Sequence, residues 1–228
     1  MTIYAAGGVA SPLKECCEEY GKINNVEFKY IFGKGFKLIE QISETGIGDL
    51  ISFGAEVLSD RMEALDLVDG ENRYCIGVRE PVMLVHKGNP KNITHISDLL
   101  NKDVRVAVAY DGCLIGVWES ILLNYDKTII DRFRKKIKKL SDGCSQIVSF
   151  LLDDSVDVVI GWNSFQKYKE KSIDIISFNK EYRVFRSTNL SLLKCSKDKE
   201  AALALKDFIR SERGKEIYNS YGWETFPN

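Results

Sequence analysis

The stretch Thr2-Ile3-Tyr4-Ala5-Ala6-Gly7-Gly8-Val9-Ala10-Ser11-Pro12 decides the fold. Its first residues are β-prone, two glycines end the run, and a helix is predicted to open at Ser11-Pro12. Serine is a favoured N-cap, and proline suits the first helical turn, where its missing N–H costs nothing. The glycines let the backbone come close to whatever sits above them. A strand–loop–helix unit of this kind aims N–H groups and a helix dipole at one spot, which suits an anion. Read alone, it is more simply an ordinary strand-to-helix connection than a binding site. Its recurrence along the chain argues for a binding edge.

Working outward, strand-like runs alternate with helical periodicity. Strands are predicted over residues 26–32, 49–53, 80–86 and 104–109. Helical turns are predicted over 36–42, 56–67 and 97–100. Further on, helices are expected over 116–125, 129–140, 145–152 and 199–221, and strands over 156–162, 173–178, 182–185 and 189–193. The alternation implies an α/β fold with largely parallel sheets. Such sheets bind ligands outside the carboxyl ends of their strands, where loops lead into helices. Several of those loops are rich in glycine or small polar residues: 6–11, 33–35, 54–55, 110–116, 142–145 and 161–163.

Each loop offers candidates and a plainer reading beside them. Lys34, between Gly33 and Gly35, either faces solvent or sets an ammonium against an anionic ligand. Asp142 or Ser145 caps the helix that follows, with or without a ligand. Trp162 and Asn163 either wall a site or cover the core at a strand end. The basic run 132–140 carries Phe133, Ile137 and Leu140 at i, i+4 and i+7, one apolar stripe on a helix with a solvated basic face. It has neither a helix-turn-helix pattern nor an aromatic platform for nucleic acid.

Composition narrows the class. A chain of 228 residues supports one large or two small domains, and a net charge of −1 gives no reason to expect nucleic acid or an anionic membrane. No apolar stretch approaches the roughly 20 residues that span a bilayer, and strand-like sequence starts at once, so neither membrane insertion nor a signal peptide is expected. The six cysteines, Cys16, Cys17, Cys75, Cys113, Cys144 and Cys195, include no C-x-x-C pair. With only His86 and His95 beside them, no metal is expected. They read as free, mostly buried thiols of a reducing compartment, or as one or two disulfides if the protein is exported. P-loop and dinucleotide spacings are absent, so no cofactor is expected. No histidine accompanies Cys113 or Ser145 in a nucleophile pattern, so the chain does not read as an enzyme. A two-lobed enzyme with Cys113 as nucleophile is the rival on that side.

Several segments, in one collinear order over essentially the whole chain, carry a family likeness. They are 4–13 (YAAGGVASPL), 26–36, 49–55, 79–90 (REPVMLVHKGNP), Gly116-Val117-Trp118-Glu119, 156–162, 182–189 (YRVFRSTN) and Tyr221-Gly222-Trp223-Glu224. In these the chain resembles the type II periplasmic solute-binding proteins of the sulfate and molybdate class. Within that class it looks most like the branch of accessory colonisation factor and the Campylobacter major antigenic protein. The resemblance implies two α/β lobes, residues 1–82 with 187–228 and residues 83–186, joined by two crossover strands near 80–85 and 183–190. It also implies a ligand cleft between the lobes that closes by a hinge. The implied ligand is a small anion: an oxyanion, a carboxylate or a phosphorylated metabolite. Lys34 would supply charge; Gly7, Gly8, Gly35 and Gly54 backbone approach; Ser11 and Ser145 hydroxyls or caps. Tyr110, Trp162 and Asn163 would line the cleft, with Phe36, Ala55, Gly112, Cys113 and Gly116 from the same loops. An ABC-type permease is the implied partner of an exported monomer. The rival is a cytoplasmic ligand-sensing domain akin to the effector domain of LysR-type regulators.

Overall fold

The computed structural model describes residues 1–165 and 171–225, with every side chain among them except that of Ser145. The chain divides into two units, residues 1–78 with 186–228 and residues 79–185. Each is built on a five-stranded sheet.

The first unit begins with β1 (Thr2–Ala6), which passes through a 3-10 turn at Gly7–Val9 into α1 (Ala10–Asn24). The pattern repeats with β2 (Lys29–Gly33) and α2 (Gly35–Thr45), then β3 (Leu50–Phe53) and α3 (Glu56–Ala64). A long β4 (Val68–Arg79) ends the segment. Both β2 and β3 run parallel to β1. Successive strand side chains alternate faces, and the core follows that alternation. Ile3, Ala5 and Leu50 pack with Leu13, Cys16 and Cys17 of α1, whereas Tyr4, Ile51 and Phe53 pack with Leu38, Ile39, Ile42 and Leu58 of α2 and α3. The sheet is therefore buried on both faces.

The second unit contains β5 (Pro81–His86), α4 (Ile96–Asn101), β6 (Val106–Ala109) and α5 (Val117–Tyr125). It continues with α6 (Ile130–Arg134), β7 (Ile137–Ser141), α7 (Cys144–Ile147) and α8 (Ser149–Leu152). Strands β8 (Val158–Trp162) and β9 (Ile173–Ile176) complete a sheet of order β7-β6-β8-β5-β9. The chain then returns to the first unit with β10 (Arg186–Leu193), α9 (Lys199–Arg210) and α10 (Glu212–Ser220). There β10 lies between β3 and β4.

The α/β alternation holds, with five differences of detail. The sheets are mixed: β10 is antiparallel to β3, and β5 is antiparallel to both β8 and β9. The basic run is not one helix, since α6 ends at Arg134 and β7 follows at the sheet edge with Lys138 and Lys139 exposed. Charged side chains protect an edge strand from pairing, and they mimic the polar face of a helix in sequence. Residues 182–185 form no strand; a 3-10 turn spans Lys180–Tyr182. The expected helix over 199–221 breaks at Ser211, which caps α10 by accepting from the Gly214 N–H. A Cβ on Gly214 would stand 2.1 Å from the Ile209 carbonyl oxygen, so glycine permits the bend. Finally, β4 has no counterpart among the predicted strands, because its edge position leaves Asp69, Gly70 and Glu71 exposed.

Candidate functional site

In the first unit, Ala6 pairs with Gly33 and Ala5 with Ser52 in parallel register. The loops after β1, β2 and β3 therefore leave the same edge of the sheet. They bring Gly7 and Gly8, then Lys34, Gly35 and Phe36, then Gly54 and Ala55 to that edge. Ser11 is not the cap expected of it. The 3-10 turn feeds directly into α1, so the helix starts two residues earlier with Val9 as N-cap, and Ser11 is exposed within the first turn. A Cβ on Gly35 would stand 2.5 Å from Leu58 Cδ1, so the Leu58 side chain between α2 and α3 would have to shift to admit one. Phe36 is half exposed, with the Arg61 guanidinium 5.4 Å from its ring centre. Behind the loops lies a buried polar lattice that the sequence did not reveal. Ser52 Oγ donates to the Asn189 carbonyl at 2.8 Å, Asn189 Nδ2 donates to Ser59 Oγ at 3.2 Å, and Trp223 Nε1 donates to Thr188 Oγ1 at 2.8 Å.

In the second unit, β6 runs parallel to β7 and β8, with Ala109 opposite Ser141. Their loops also share one edge. Tyr110 is 60% exposed there, and Asp111 turns its carboxylate onto the Gly112 N–H at 2.6 Å. Gly112 and Gly116 adopt φ of +75° and +66°, conformations that side chains disfavour. Asp142 does not cap α7; Gly143 is the N-cap, and the Asp142 N–H donates to Gln146 Oε1 at 3.2 Å. The side chain of Ser145 lies outside the described residues. Asn163 donates its N–H to the Glu80 carbonyl at 3.1 Å and accepts from the Ser164 N–H at 2.9 Å.

Trp162 is fully buried and sits opposite Pro81 across the antiparallel β5–β8 pair. That pairing places Arg79 and Glu80 at the same edge, two residues absent from the sequence-based candidates. The buried Arg79 guanidinium lies 4.3 Å from the Trp162 ring centre, and Glu80 pairs with Arg183 at 2.6 Å. Their signal was the charged dipeptide directly before Pro81 and an apolar strand. Trp162 Nε1 donates to Cys113 Sγ at 3.2 Å, and Cys113 Sγ lies 2.9 Å from Cys144 Sγ. The Cys144 hydrogen bond, against the opposing effect of burial and with help from the Arg79 charge and Trp162, draws the Cys113 thiol down to about 5. Cys144 moves the other way, raised by the same hydrogen bond and by burial. All six cysteines are free; Cys16 and Cys17 are fully buried, Cys75 is exposed and the other three are intermediate. His86 Nε2 lies 3.1 Å from the Val156 carbonyl, and His95 caps α4 by accepting from the Ser97 N–H. His95 Nδ1 lies 3.0 Å from Ser97 Oγ within the α4 cap, and Cys113 Sγ has Cys144 and Trp162 among its partners.

The helices that follow parallel strands, α1, α2, α3, α5 and α7, have no side-chain cap on their first turns. However, α6 and α8 also lack one, and Asp111 caps the 3-10 turn directly after β6. The helices that follow the antiparallel strands β5 and β10 are capped, α4 by His95 and α9 by Asp198. A first turn without a side-chain cap keeps N–H groups and the positive end of the helix dipole available to a ligand.

Residues 1–224 match the family of bacterial extracellular solute-binding proteins, and the chain belongs to that family. A comparison with curated proteins finds no match. Solved structures share the fold. PEB3 of Campylobacter jejuni with bound L-phospholactate superposes with a TM-score of 0.85 at 23% identity, over 99% of this chain and 100% of that one. The substrate-binding domain of a putative molybdenum ABC transporter from Clostridium difficile gives 0.80 at 18%, over 100% and 99%. The sulfate-binding protein SubI from Mycobacterium tuberculosis gives 0.82 at 17%, over 99% and 86%. The α/β fold is that of the type II binding proteins, and the chain is a solute-binding protein, not an enzyme.

Proposed function

We propose that the chain captures a small anion, an oxyanion, a carboxylate or a phosphorylated metabolite, at the carboxyl edges of its sheets and delivers it to an ABC-type permease as a monomer. The observation that carries this reading is the withheld capping: five helices start at those edges without a side-chain cap. Their N–H groups suit a ligand that accepts many hydrogen bonds and carries negative charge. Lys34, the N-cap of α2, adds an exposed positive charge in the first unit, and Arg79 adds a buried one in the second. Gly7, Gly8, Gly54, Gly112 and Gly116 allow backbone approach, while Tyr110 and Asn163 supply side-chain contacts. Phospholactate and sulfate, named for two of the similar structures, are anions of this kind, whereas two others of the same fold are named for iron.

Thermal unfolding with sulfate, molybdate, L-phospholactate and di- and tricarboxylates, repeated on Lys34→Ala, tests the reading. A ligand at 100 times its Kd stabilises the fold by about 2.7 kcal/mol. One anion class should raise Tm, and Lys34→Ala should weaken the shift. If only neutral or cationic compounds raise Tm, the anion assignment is wrong.

A further inference from the structure

Two cysteines in the second unit are brought together by the sheet. Because β6 and β7 are adjacent and parallel, their loops leave side by side, Cys113 in the turn Gly112–Leu114 and Cys144 at the start of α7. A Cβ built on Gly112 would stand 3.9 Å from Gly143 Cα, so the two glycines run against each other where the sulfurs meet. The sulfurs are 2.9 Å apart, and a bond between them needs a shift of under about 1 Å. Trp162 Nε1 donates to Cys113 Sγ at 3.2 Å, a hydrogen bond that favours its thiolate. Both cysteines are partly exposed, whereas Cys16 and Cys17 are sealed in the core on the buried face of α1. Cys75 and Cys195 each donate to a backbone carbonyl, of Gly77 and Gly48, at 3.6 Å.

We propose that Cys113 and Cys144 form a thiol–disulfide modification site that reacts with low-molecular-weight disulfides of the glutathione class. The Cys113 thiolate attacks one sulfur of the oxidant. The oxidant's S–S bond breaks, one thiolate leaves, and a mixed disulfide forms on Cys113. Cys144 then gives its proton to the departed thiolate and attacks Cys113 Sγ, which expels the second thiolate. That thiolate takes up the proton released when Cys113 ionised. The protein loses two hydrogens to form the Cys113–Cys144 bond, and the oxidant becomes two thiols. Excess thiol runs the sequence backwards. The site stands on the thiol geometry and does not depend on the anion reading.

The test incubates the reduced full-length protein with oxidised glutathione at neutral pH, quenches with acid, alkylates and maps peptides by mass spectrometry. The native protein should yield a linked 113–144 peptide, reversed by reduced glutathione, with Cys16 and Cys17 still alkylated only after denaturation. Cys144→Ser should accumulate glutathione on Cys113 at least about tenfold faster than on Cys75 or Cys195. The native protein needs no variant to read the link, so its outcome is independent of any folding defect. The absence of a 113–144 peptide from the native protein overturns the proposal. Equal labelling of Cys113, Cys75 and Cys195 in folded Cys144→Ser overturns it too.

Discussion

The two units carry the same strand-to-helix edge and furnish it differently. In the first, the edge is made of small residues and main chain: glycines, Ala55 and helix starts, backed by hydroxyls and amides locked to one another. In the second, a buried guanidinium, an indole and two thiols sit behind the loops. The first edge presents backbone partial charges and the exposed Lys34; the second sets a buried guanidinium and two thiols behind its loops. One topology thus carries two differently furnished edges, because the loops differ while the strand arrangement is shared.

The largest blow to this contrast is Trp162→Ala, which removes the fully buried indole from the second unit's edge. It should cost about 3–5 kcal/mol in chemical denaturation. A loss near zero would mean that the ring does not hold Arg79 and the loops in place. The first unit has its counterpart in Gly35→Ala. An exposed glycine-to-alanine change within a helix normally stabilises, yet here the methyl group would meet Leu58 Cδ1 at 2.5 Å. The variant should lose about 1–3 kcal/mol by overpacking. Unchanged stability would show that Leu58 yields and that α2 and α3 do not need the glycine.

The smallest effect lies at the opposite edge of the second sheet. Asp157 is nearly buried; burial alone would raise its carboxyl, but hydrogen bonds from the Arg105 side chain and backbone N–H hold it below the usual range. A depressed carboxylate contributes stability above its unfolded pKa, about 4, and loses it as pH falls through the folded value. Asp157→Asn should therefore be less stable at neutral pH by about 1 kcal/mol, a figure reduced for the exposure of Arg105. Denaturation at pH 7 and pH 3 should show that gap closing in acid. A constant gap would assign the loss to packing and not to charge.

The strand–glycine–helix units of the first sheet were legible because each is local. Ala6-Gly7-Gly8, Gly33-Lys34-Gly35 and Gly54-Ala55 announce a strand end and a helix start within a few residues. The shift of the α1 cap from Ser11 to Val9 is a matter of one 3-10 turn, which residue preference alone does not resolve. β4 and β7 escaped because edge strands carry polar and charged residues, and the apolar residues of 132–140 fit a helical period as well. Arg79 and the Cys113–Cys144 approach were out of reach for a different reason. Each is created by strand pairing between distant segments, β5 with β8 and β6 with β7, which local pattern does not encode.

The path of β10 has a consequence for how the molecule comes into being. The second unit is one continuous segment, residues 79–185, whereas the first needs both ends of the chain. β10 lies between β3 and β4, so β4 has no sheet neighbour until β10 is in place. As the chain emerges from the ribosome, the second unit is complete while the first still lacks an interior strand and two helices. The unit that starts the sequence thus cannot complete its sheet until residues 186–193 are made, and until then β3 and β4 keep open strand edges.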